Sequence, residues 1–574
     1  MLTRLVIRNF KLFDEVDIEL GDRVVFVGPN NSGKTSALQA LALWSTGVRR
    51  WAEKRGAGKV PKERSGVTIN RRDLIALPIP SANLLWHDLH VREGTRENGK
   101  AGTRNVMVEV DVEGVDDGKS WEARVEFDYA NEESFYCRSR LGPDGERLEI
   151  PAAAARVSMA YLPPMSGLAA TETRLDEGAI AVRIGEGRTA EVLRNLCWQA
   201  FQRNQAGQWT RIAKRMEALF GVVLDEPAYI ADRGEITMSF RRDGVRLDLS
   251  ASGRGQQQTL LLLAHMAANP GSVLLLDEPD AHLEILRQRQ IYDVLTETAH
   301  ETGSQIIAAS HSEVILNEAA DRDLVIAFVG RPHRIDDRGS QVLKALKEIG
   351  FDQYLQAEQT GWVLYLEGAT DLAILRAFAE KLDHPASKFL ERPFVHYVAN
   401  QPSRARDHFY GLREAVPALV GAALFDRLDL RLNDDPHLTQ LMWTRREIEN
   451  YLASPELLRA YASELGRAQM GELFAPTAVG HMEQAIEEVT RALATLGKPA
   501  PFGADAKVSD EFLEPVFRSF LGKMGLPPNL MRKTDYHSLM PLLDKASVPS
   551  EVVEKLDAIA AAARRAQPIG GKLA

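Results

Sequence analysis

The residues with the clearest chemical potential form a glycine-bounded loop near the start of the chain, GPNNSGKT at 28–35. Gly28 and Gly33 permit the tight turns that point backbone N–H groups at a phosphate. Lys34 is expected to reach the β- and γ-phosphates of a nucleotide, and Thr35 to bind Mg²⁺. The loop therefore predicts a site for ATP and Mg²⁺. The other residues of the predicted phosphate cradle are Asn30, Asn31 and Ser32.

The elements on either side of this loop have the pattern that a phosphate-binding loop requires. Four apolar residues, VVFV at 24–27, precede it and predict a short buried strand. The residues that follow, SALQALALW, have helical periodicity, and we expect that helix to end near Gly47. The alternative is a chance match in an ordinary glycine turn, which the strand–loop–helix context disfavours.

Two later strands carry residues suited to ATP hydrolysis. The apolar run VLLLDE ends in Asp277, which is expected to bind Mg²⁺, and Glu278, which is expected to orient the attacking water. His311 follows the apolar run QIIAAS and is placed to sense the γ-phosphate. Each residue alone is ambiguous, but their order and spacing together predict an ATPase.

A second glycine-containing segment, LSASGRGQQQ at 249–258, precedes an apolar helical pattern. Gly253 and Gly255 at the start of a helix leave backbone N–H groups open to an anion. The segment is therefore a second candidate phosphate contact.

Carboxylates follow two further apolar runs in the second half of the chain. Glu367 comes directly after WVLYL, and Asp426 after ALVGAALF. In open α/β sheets, ligands bind at the carboxyl ends of the strands. Acidic residues gathered there suit Mg²⁺ or Mn²⁺, which prefer oxygen ligands. The alternative, that these acids are solvated ends of ordinary turns, remains open.

The overall composition fits an ordinary globular protein with several domains. The chain has 574 residues, a formal net charge of −10 and two cysteines, which suits the reducing cytoplasm. We find no signal peptide and no run that approaches the ~20 apolar residues of a membrane span. Residues 49–72 contain nine Lys or Arg and two Glu, a local charge of +7. This segment is either a nucleic-acid contact, with Trp44 and Trp51 as stacking groups, or a solvated loop.

The patterns divide the chain into four parts. Residues 1–335 are predicted as an α/β ATPase domain that includes a β-meander at 105–150 and helical insertions at 185–220. Residues 336–361 are charged and mixed, and we interpret them as a connector. A second α/β pattern covers 362–455, and 456–574 is expected to be a helical extension of it.

The front half resembles the ATP-binding-cassette ATPases, in the branch that holds SMC, RecF and OLD-type proteins. The resemblance rests on GPNNSGKT, LSASGRGQQQ, VLLLDE and His311, and it covers roughly residues 1–335. In that family the signature loop acts on the ATP of a second copy. The resemblance therefore implies that Ser252, Gly253 and Gly255 complete a neighbour's site, and that the protein forms a homodimer or a higher homo-oligomer.

The back half resembles the Toprim domain, a Rossmann-like fold of topoisomerases, primases and OLD-family nucleases. The segments that carry the resemblance are EGATD at 367–371, LFDRLD at 424–429, WTRREIENYL at 443–452 and RKTDYHSLM at 532–540. An ABC-type ATPase followed by Toprim is the OLD-family architecture, which the nuclease of the Gabija phage-defence system shares.

The Toprim resemblance implies a role for individual acids. Glu367 would be a metal ligand and general base, Asp371 a second ligand, and Asp426 the first acid of an Asp-x-Asp pair. The second acid of that pair is expected at 428, where this chain has Leu428. Lys533 would stabilise charge on the scissile phosphate, although an ordinary surface lysine is an open alternative. The acids that could replace the missing one are Asp429, Glu447 and Glu449, the last two on a predicted helix of which one face meets the site.

The resemblance as a whole implies an ATP-regulated, divalent-metal-dependent endonuclease or nickase that cuts double-stranded DNA. Its implied role is defence against phage or foreign DNA, with a second defence-system protein as a possible partner and no membrane. Because of Leu428, a second function stays open. In that alternative the Toprim is degenerate, and the protein is an ATPase sensor that binds a partner or effector and does not cut DNA.

Overall fold

The computed structural model describes residues 1–56, 66–97, 100–143, 145–203, 207–320, 322–335, 349–528 and 530–568. Contacts between residues divide the chain into two compact units, Met1–Leu343 and Lys344–Ala574. Each unit is described by itself.

The N-terminal unit combines β-strands and α-helices. Its described strands are β1 (Leu2–Phe10), β2 (Phe13–Glu19), β3 (Arg23–Val27), β4 (Val67–Asn70), β5 (Arg92–Glu97), β6 (Lys100–Asn105), β7 (Val108–Asp116), β8 (Lys119–Asn131), β9 (Ser134–Ser139), β10 (Met159–Leu162), β11 (Val223–Leu224), β12 (Ala228–Ile230), β13 (Glu235–Thr237), β14 (Ser239–Arg242), β15 (Val245–Asp248), β16 (Val273–Asp277), β17 (Gln305–Ser310), β18 (Leu324–Ala327) and β19 (His333–Arg334). Its described helices are α1 (Lys34–Arg55), α2 (Ala152–Ala155), α3 (Glu177–Gly185), α4 (Leu193–Arg203), α5 (Gln208–Phe220), α6 (Arg254–Ala268), α7 (Ile285–Thr302) and α8 (Glu313–Ala319).

A mainly parallel sheet in the order β10-β16-β17-β3-β18-β19 forms the centre of this unit. Strand β3 pairs in parallel with β17 and β18, and β17 pairs in parallel with β16. Every residue of β16 and β17 is buried, as expected when helices cover both faces of a parallel sheet. Because these strands run in one direction, the loops that follow β3, β16 and β17 meet at the same edge.

The second large sheet of the unit is antiparallel, in the order β2-β1-β7-β8-β9-β4, and it contains the predicted meander as β7, β8 and β9. Helix α1 packs against it. The predicted end of this helix near Gly47 is wrong, because α1 continues to Arg55. A Cβ at Gly47 would lie 2.9 Å from Cys137 Sγ and from the Phe127 ring. Glycine is required there by close packing on the sheet, and it does not stop the helix.

The basic segment 49–72 is only partly described, since 57–65 lie outside the described ranges. Trp44 and Trp51, considered as stacking groups for bases, are 0% and 1% exposed in the core of the unit. That expectation is wrong. Arg50 lies 3.6 Å from Asp73, so part of the described positive charge is neutralised within the unit.

The C-terminal unit contains a parallel sheet covered by helices. Its described strands are β20 (Trp362–Leu366), β21 (Val395–Tyr397), β22 (Val420–Phe425) and β23 (Leu438–Met442). Its described helices are α9 (Phe351–Thr360), α10 (Ala369–Lys381), α11 (Ala386–Leu390), α12 (Pro402–Ala415), α13 (Pro455–Met470), α14 (Ala475–Thr495), α15 (Glu514–Lys523) and α16 (Ser550–Arg564).

The sheet order is β21-β20-β22-β23, and each pair of neighbours is parallel. The residues that follow β20 and β22, which include Glu367 and Asp426, therefore leave the sheet at the same edge. Residues 455–564 contain the described helices α13, α14, α15 and α16, joined by short helical turns and loops, and their role as an extension of the second domain stays a prediction.

Half of the predicted connector at 336–361 lies outside the described residues, which resume at 349. Its described end forms α9, where Tyr354 and Ala357 are 0% exposed. This part of the connector is thus a packed helix of the C-terminal unit. Separately, none of the described helices combines the length and the apolar content that a bilayer crossing needs.

Candidate nucleotide site and carboxylate cluster

The predicted phosphate loop joins β3 to α1 at the edge where the parallel strands end. Gly28 and Gly33 have φ angles of 150° and 103°, which side-chain-bearing residues rarely adopt. A Cβ at Gly28 would lie 2.7 Å from the Phe328 carbonyl oxygen, and one at Gly33 would lie 2.7 Å from the Phe13 ring. Backbone conformation and space therefore both require glycine at these two positions.

Lys34 is folded into the loop that it is predicted to serve. Its Nζ donates hydrogen bonds to the carbonyl oxygens of Gly28 and Pro29 at 2.7 and 2.8 Å. Burial lowers the pKa of Lys34, and nearby carboxylates, chiefly Asp277, oppose that effect. Ser32 Oγ is buried and has no hydrogen-bond partner among the described residues. A bound phosphate would give Ser32 a partner and Lys34 a counter-charge. The other predicted cradle residues, Asn30 and Asn31, are exposed.

Asp277 lies at the end of β16 beside the start of α1. Thr35 Oγ1 donates to Asp277 Oδ1 at 3.1 Å, and the Tyr161 hydroxyl donates to Oδ2 at 3.2 Å. Burial raises the pKa of Asp277, and the hydrogen bonds from Thr35 and Tyr161 oppose that rise. The pair predicted to hold Mg²⁺ is thus brought together. Tyr161 was not predicted, since its strand β10 carries no motif and only the sheet order brings it to Asp277.

Glu278 and His311 meet at the same edge. Glu278 has a left-handed φ of 50°, which costs energy for a residue with a side chain. Its N–H donates to the Ala309 carbonyl at 2.8 Å, which fixes the turn. Glu278 Oε1 then lies 3.8 Å from His311 Nδ1, with 37% and 52% of the two side chains exposed. This geometry suits a carboxylate that orients water beside a phosphate-sensing histidine. The two roles stay predictions.

The segment LSASGRGQQQ at 249–258, called here the signature-like loop, is ordered by its own hydrogen bonds at the start of α6. Ser252 Oγ donates to the Leu249 carbonyl at 2.6 Å, and Gln257 Nε2 donates to the Ser252 carbonyl at 2.9 Å. Gly253 is the residue before the helix and is exposed, and Gly255 lies in its first turn. These N–H groups are accessible to an anion, and their predicted contact with a second copy stays a prediction.

In the C-terminal unit, Glu367 and Asp371 bracket the turn between β20 and α10. Asp371 Oδ2 accepts hydrogen bonds from the N–H groups of Glu367 and Gly368 at 3.1 and 3.4 Å. Burial raises the pKa of Asp371 to about 6, helped by the charge of Glu367. Glu367 itself is exposed at the end of the strand.

Asp426, at the end of β22, joins this pair. Burial raises the pKa of Asp426 to about 9, with further contributions from a hydrogen bond to Glu367 and from the charges of Glu367, Asp371 and Glu449. Burial also raises the pKa of Glu449 to about 7, and Lys533 opposes that rise. Four predicted acids therefore form one interacting group, named here the carboxylate cluster: Glu367, Asp371, Asp426 and Glu449.

The other two predicted acids are placed differently. Glu447 is buried, but its carboxylate accepts hydrogen bonds from the backbone N–H and the hydroxyl of Ser509. The expected helix at REIENYL is wrong at its start, since Glu447 has an extended backbone before a short 3₁₀ turn, Ile448–Tyr451. Asp429 is exposed in the loop after β22. Its metal-binding role stays a prediction.

Lys533 reaches the cluster from a distant part of the sequence. Its Nζ lies 3.6 Å from Glu449 Oε1 and 3.8 Å from Asp510 Oδ1, and it donates to Ser509 Oγ at 3.2 Å. Burial would lower the pKa of Lys533, but the charges of Glu449, Asp510 and other acids outweigh it and raise that pKa. Ser509 and Asp510 were not predicted, because no motif marks them.

Across the described residues, no three or more His, Cys, Asp or Glu side chains are arranged as a ready-made metal site. The acids of the carboxylate cluster nevertheless repel one another, since the charges of Glu367, Asp371 and Glu449 contribute to the raised pKa of Asp426. A divalent cation relieves the same repulsion with hard oxygen ligands. These donor types suit Mg²⁺ or Mn²⁺, and a metal site at this cluster stays a prediction.

Two protein-family models match segments of the front half of the chain. Residues 206–317 match an AAA domain family described for the AbiEii toxin of a type IV toxin–antitoxin system, and residues 1–68 match an AAA ATPase domain family. An OLD nuclease of Thermus scotoductus is 44% identical over 43 residues, 8% of this chain and 8% of that protein. A peptide import ATP-binding protein of Brucella abortus is 32% identical over 78 residues, 14% of this chain and 23% of that protein. The matched segments of this chain thus cover less than a quarter of the length of each of these relatives.

Matches among solved structures include SMC head domains. The SMC head domain from Thermotoga maritima has a TM-score of 0.33 and 16% identity, and the match covers 58% of this chain and 98% of that one. An Smc head domain from Pyrococcus furiosus, bound to the C-terminal domain of ScpA, has a TM-score of 0.35 and 14% identity, covering 61% and 99%. Overlaps this loose carry no argument about function. The family matches and the site geometry make the N-terminal unit an α/β P-loop ATPase domain of the AAA kind.

Proposed function

We propose that this protein is an ATP-regulated, divalent-metal-dependent endonuclease of the OLD type that nicks double-stranded DNA. The observation that carries the proposal is the carboxylate cluster, in which Glu367 and Asp426 follow two neighbouring parallel strands, Asp371 lies in the first turn of α10, and the charges of these acids interact. The short match to an OLD nuclease supports the same assignment. A role in defence, with a second defence protein as partner, is part of the proposal.

The side chains suggest a division of labour at the cluster. Asp371 and Asp426, held by backbone N–H groups and by burial, would bind Mg²⁺ or Mn²⁺, which supplies charge stabilisation to the phosphodiester when bound. Glu367 is the exposed member and would take a proton from the attacking water. Lys533, with 39% of its side chain exposed beside Glu449, would contact the scissile phosphate.

In the N-terminal unit, Lys34 and Thr35 would bind ATP and Mg²⁺, with Asp277 completing the metal site. Glu278 and His311 would act on the water and the γ-phosphate. The signature-like loop would complete the site of a second copy, which makes a homodimer or a higher oligomer part of this proposal. In the proposal, the nucleotide state of the unit regulates cutting.

A plasmid nicking assay with Mg²⁺ or Mn²⁺, with and without ATP, tests the nuclease. Glu367→Ala is expected to remove nicking. The matched control is Glu391→Ala, which changes an exposed acid that precedes β21 and so lies toward the opposite edge of the sheet. Equal nicking by the two variants would exclude Glu367 from the chemistry.

One observation favours a second function. Leu428 occupies the position of the second Toprim acid, so position 428 supplies no carboxylate, and its N–H donates to the Met442 sulfur at 3.1 Å. Under this alternative the protein is an ATPase sensor whose cluster binds a partner. Absence of nicking by the wild-type protein under all metal and nucleotide conditions, with ATPase activity retained, would favour the sensor.

A further inference from the structure

A cavity of about 290 Å³ lies within the N-terminal unit, and none of its lining residues belongs to the phosphate loop. Its walls come from α1, α3, α4 and the end of α6, and it reaches β10. Strand β10 is at the edge of the central sheet, with β16 as its partner among the described strands. Ile180, Ile184 and Leu196 form an apolar part of the wall. This volume is close to the lower end of small-molecule pockets, about 300 Å³.

His265 lines this cavity and is 3% exposed. The ring lies against the backbone of Ala160, but neither ring nitrogen has a hydrogen-bond partner of normal geometry within the described chain. Burial lowers the pKa of His265 to about 4, so near neutral pH the ring offers one donor and one acceptor. An unpaired polar group costs free energy when buried. A ligand in the cavity would provide the missing partner.

One cation on the cavity wall is not balanced by a described acid. The two acids on the wall are already paired, Asp73 with Arg50 at 3.6 Å and Glu177 with Arg203 through a hydrogen bond. Arg49, on α1, also lines the cavity, and no described acid forms an ion pair with it. The cavity therefore favours a ligand with one anionic group.

We propose that this cavity binds a small regulatory molecule that carries one anionic group beside a planar group with hydrogen-bond donors and acceptors. Arg49 binds the anion, while the His265 ring and the Gln199 amide bind the planar group. Ile180 and Ile184 contact its apolar face. Nucleoside monophosphates and heterocyclic carboxylates share this chemistry.

The position of the cavity connects it to both parts of the candidate ATP site. On β10, the Tyr161 hydroxyl donates to Asp277 at 3.2 Å. On α4, the buried Arg194 donates to Asp248 at 3.1 Å, and Asp248 in turn accepts from the N–H of Ser250 in the signature-like loop at 2.8 Å. A molecule held between β10 and α4 would therefore fix the metal-binding acid relative to the signature-like loop, and so change the rate of ATP hydrolysis.

Thermal unfolding in a Lys34→Ala background tests the binding, since that change removes binding at the phosphate loop. One arm uses AMP, GMP, CMP and UMP, and the other uses orotate and nicotinate. At saturating ligand we expect at least one probe to raise the unfolding midpoint by about 2–5 °C. Adding Arg49→Ala and His265→Leu should weaken the binding of that probe by about tenfold or more. Lys54→Ala, an exposed cation on α1 outside the cavity, should leave it unchanged.

A response in either arm supports the site and identifies its ligand class. The proposal is overturned if no probe shifts the midpoint, or if the shift is equal in the cavity variant. Leucine at 265 removes the unpaired nitrogens, so the fold should persist, and Arg49→Ala alone is the second variant if it does not. ATP hydrolysis by the wild-type protein should change severalfold with the active probe and stay constant in the cavity variant. An unchanged wild-type rate would overturn the regulatory role.

Discussion

Divalent cations should displace protons from the carboxylate cluster when they bind. At pH 7, Asp426 with a pKa of about 9 is almost fully protonated, and Glu449 with a pKa of about 7 is protonated in about half of the molecules. Asp371, with a pKa of about 6, holds a proton in about a tenth of them. Because carboxylates bind cations in their ionised form, binding of Mn²⁺ should release about one to two protons.

The release has a measurable consequence for affinity. Between pH 6.5 and 8, the affinity for Mn²⁺ should rise about tenfold or more for each pH unit. Titration calorimetry in buffers with different ionisation enthalpies, without nucleotide, counts the protons directly. Asp426→Asn should abolish most of the release. Asp434→Asn, which removes an exposed acid in the loop between β22 and β23 with no assigned role, is the matched control and should preserve it.

Two results would refute this reasoning. The first is an affinity for Mn²⁺ that does not change with pH, which would mean that the acids are already ionised and do not interact. The second is equal proton release by Asp426→Asn and Asp434→Asn, which would place the cation away from the cluster.

Further changes test the rest of the molecule. Lys34→Ala should abolish ATP binding, measured with a fluorescent nucleotide, because the phosphate charge loses its partner. Glu278→Gln should bind ATP but hydrolyse it about a hundredfold more slowly, and it should accumulate as a dimer in ATP when followed by sedimentation; a wild-type rate would remove Glu278 from the chemistry. Gly47→Ala should lower the free energy of unfolding by about 1–3 kcal/mol in urea, because its methyl would meet Cys137 and Phe127. Asp426→Asn should raise the melting temperature of the metal-free protein at pH 8. At pH 8, Asp426 keeps its proton in the folded protein but has lost it in the unfolded chain. Because its pKa is raised only in the folded state, the stability of the protein falls as the pH rises from about 4 towards 9.

The parts that the sequence predicted well are those that a local pattern determines. The phosphate loop needs glycine at 28 and 33 for its own backbone, and Asp277 and Glu278 stand at the end of an apolar run that could only be a buried strand. The expected position of the acids directly after buried strands follows from the same apolar runs. Such features depend on neighbours in the chain, and periodicity reveals them.

The parts that were missed or wrong depend on packing between distant segments. The sequence does not distinguish a glycine that ends a helix from one that packs closely against a sheet, so the predicted helix end at Gly47 was wrong. Trp44 lies on a helix near a basic segment, and only the meander that covers it makes it buried. Tyr161 and Asp510 reach their sites across 116 and 23 residues, from Asp277 and Lys533, in segments without a motif. No local pattern encodes such contacts.

The backbone at Glu278 implies a trade-off between the stability of the fold and the predicted role of this residue in ATP hydrolysis. A side-chain-bearing residue held at a φ of 50° makes the native fold less robust than a glycine there would. Random mutation readily replaces Glu278 by residues that tolerate this backbone. The persistence of glutamate at 278 in a lineage would therefore require continued selection for its carboxylate. Copies of this gene that no longer need to hydrolyse ATP should drift to glycine, asparagine or aspartate at this position before they change the buried strand that precedes it.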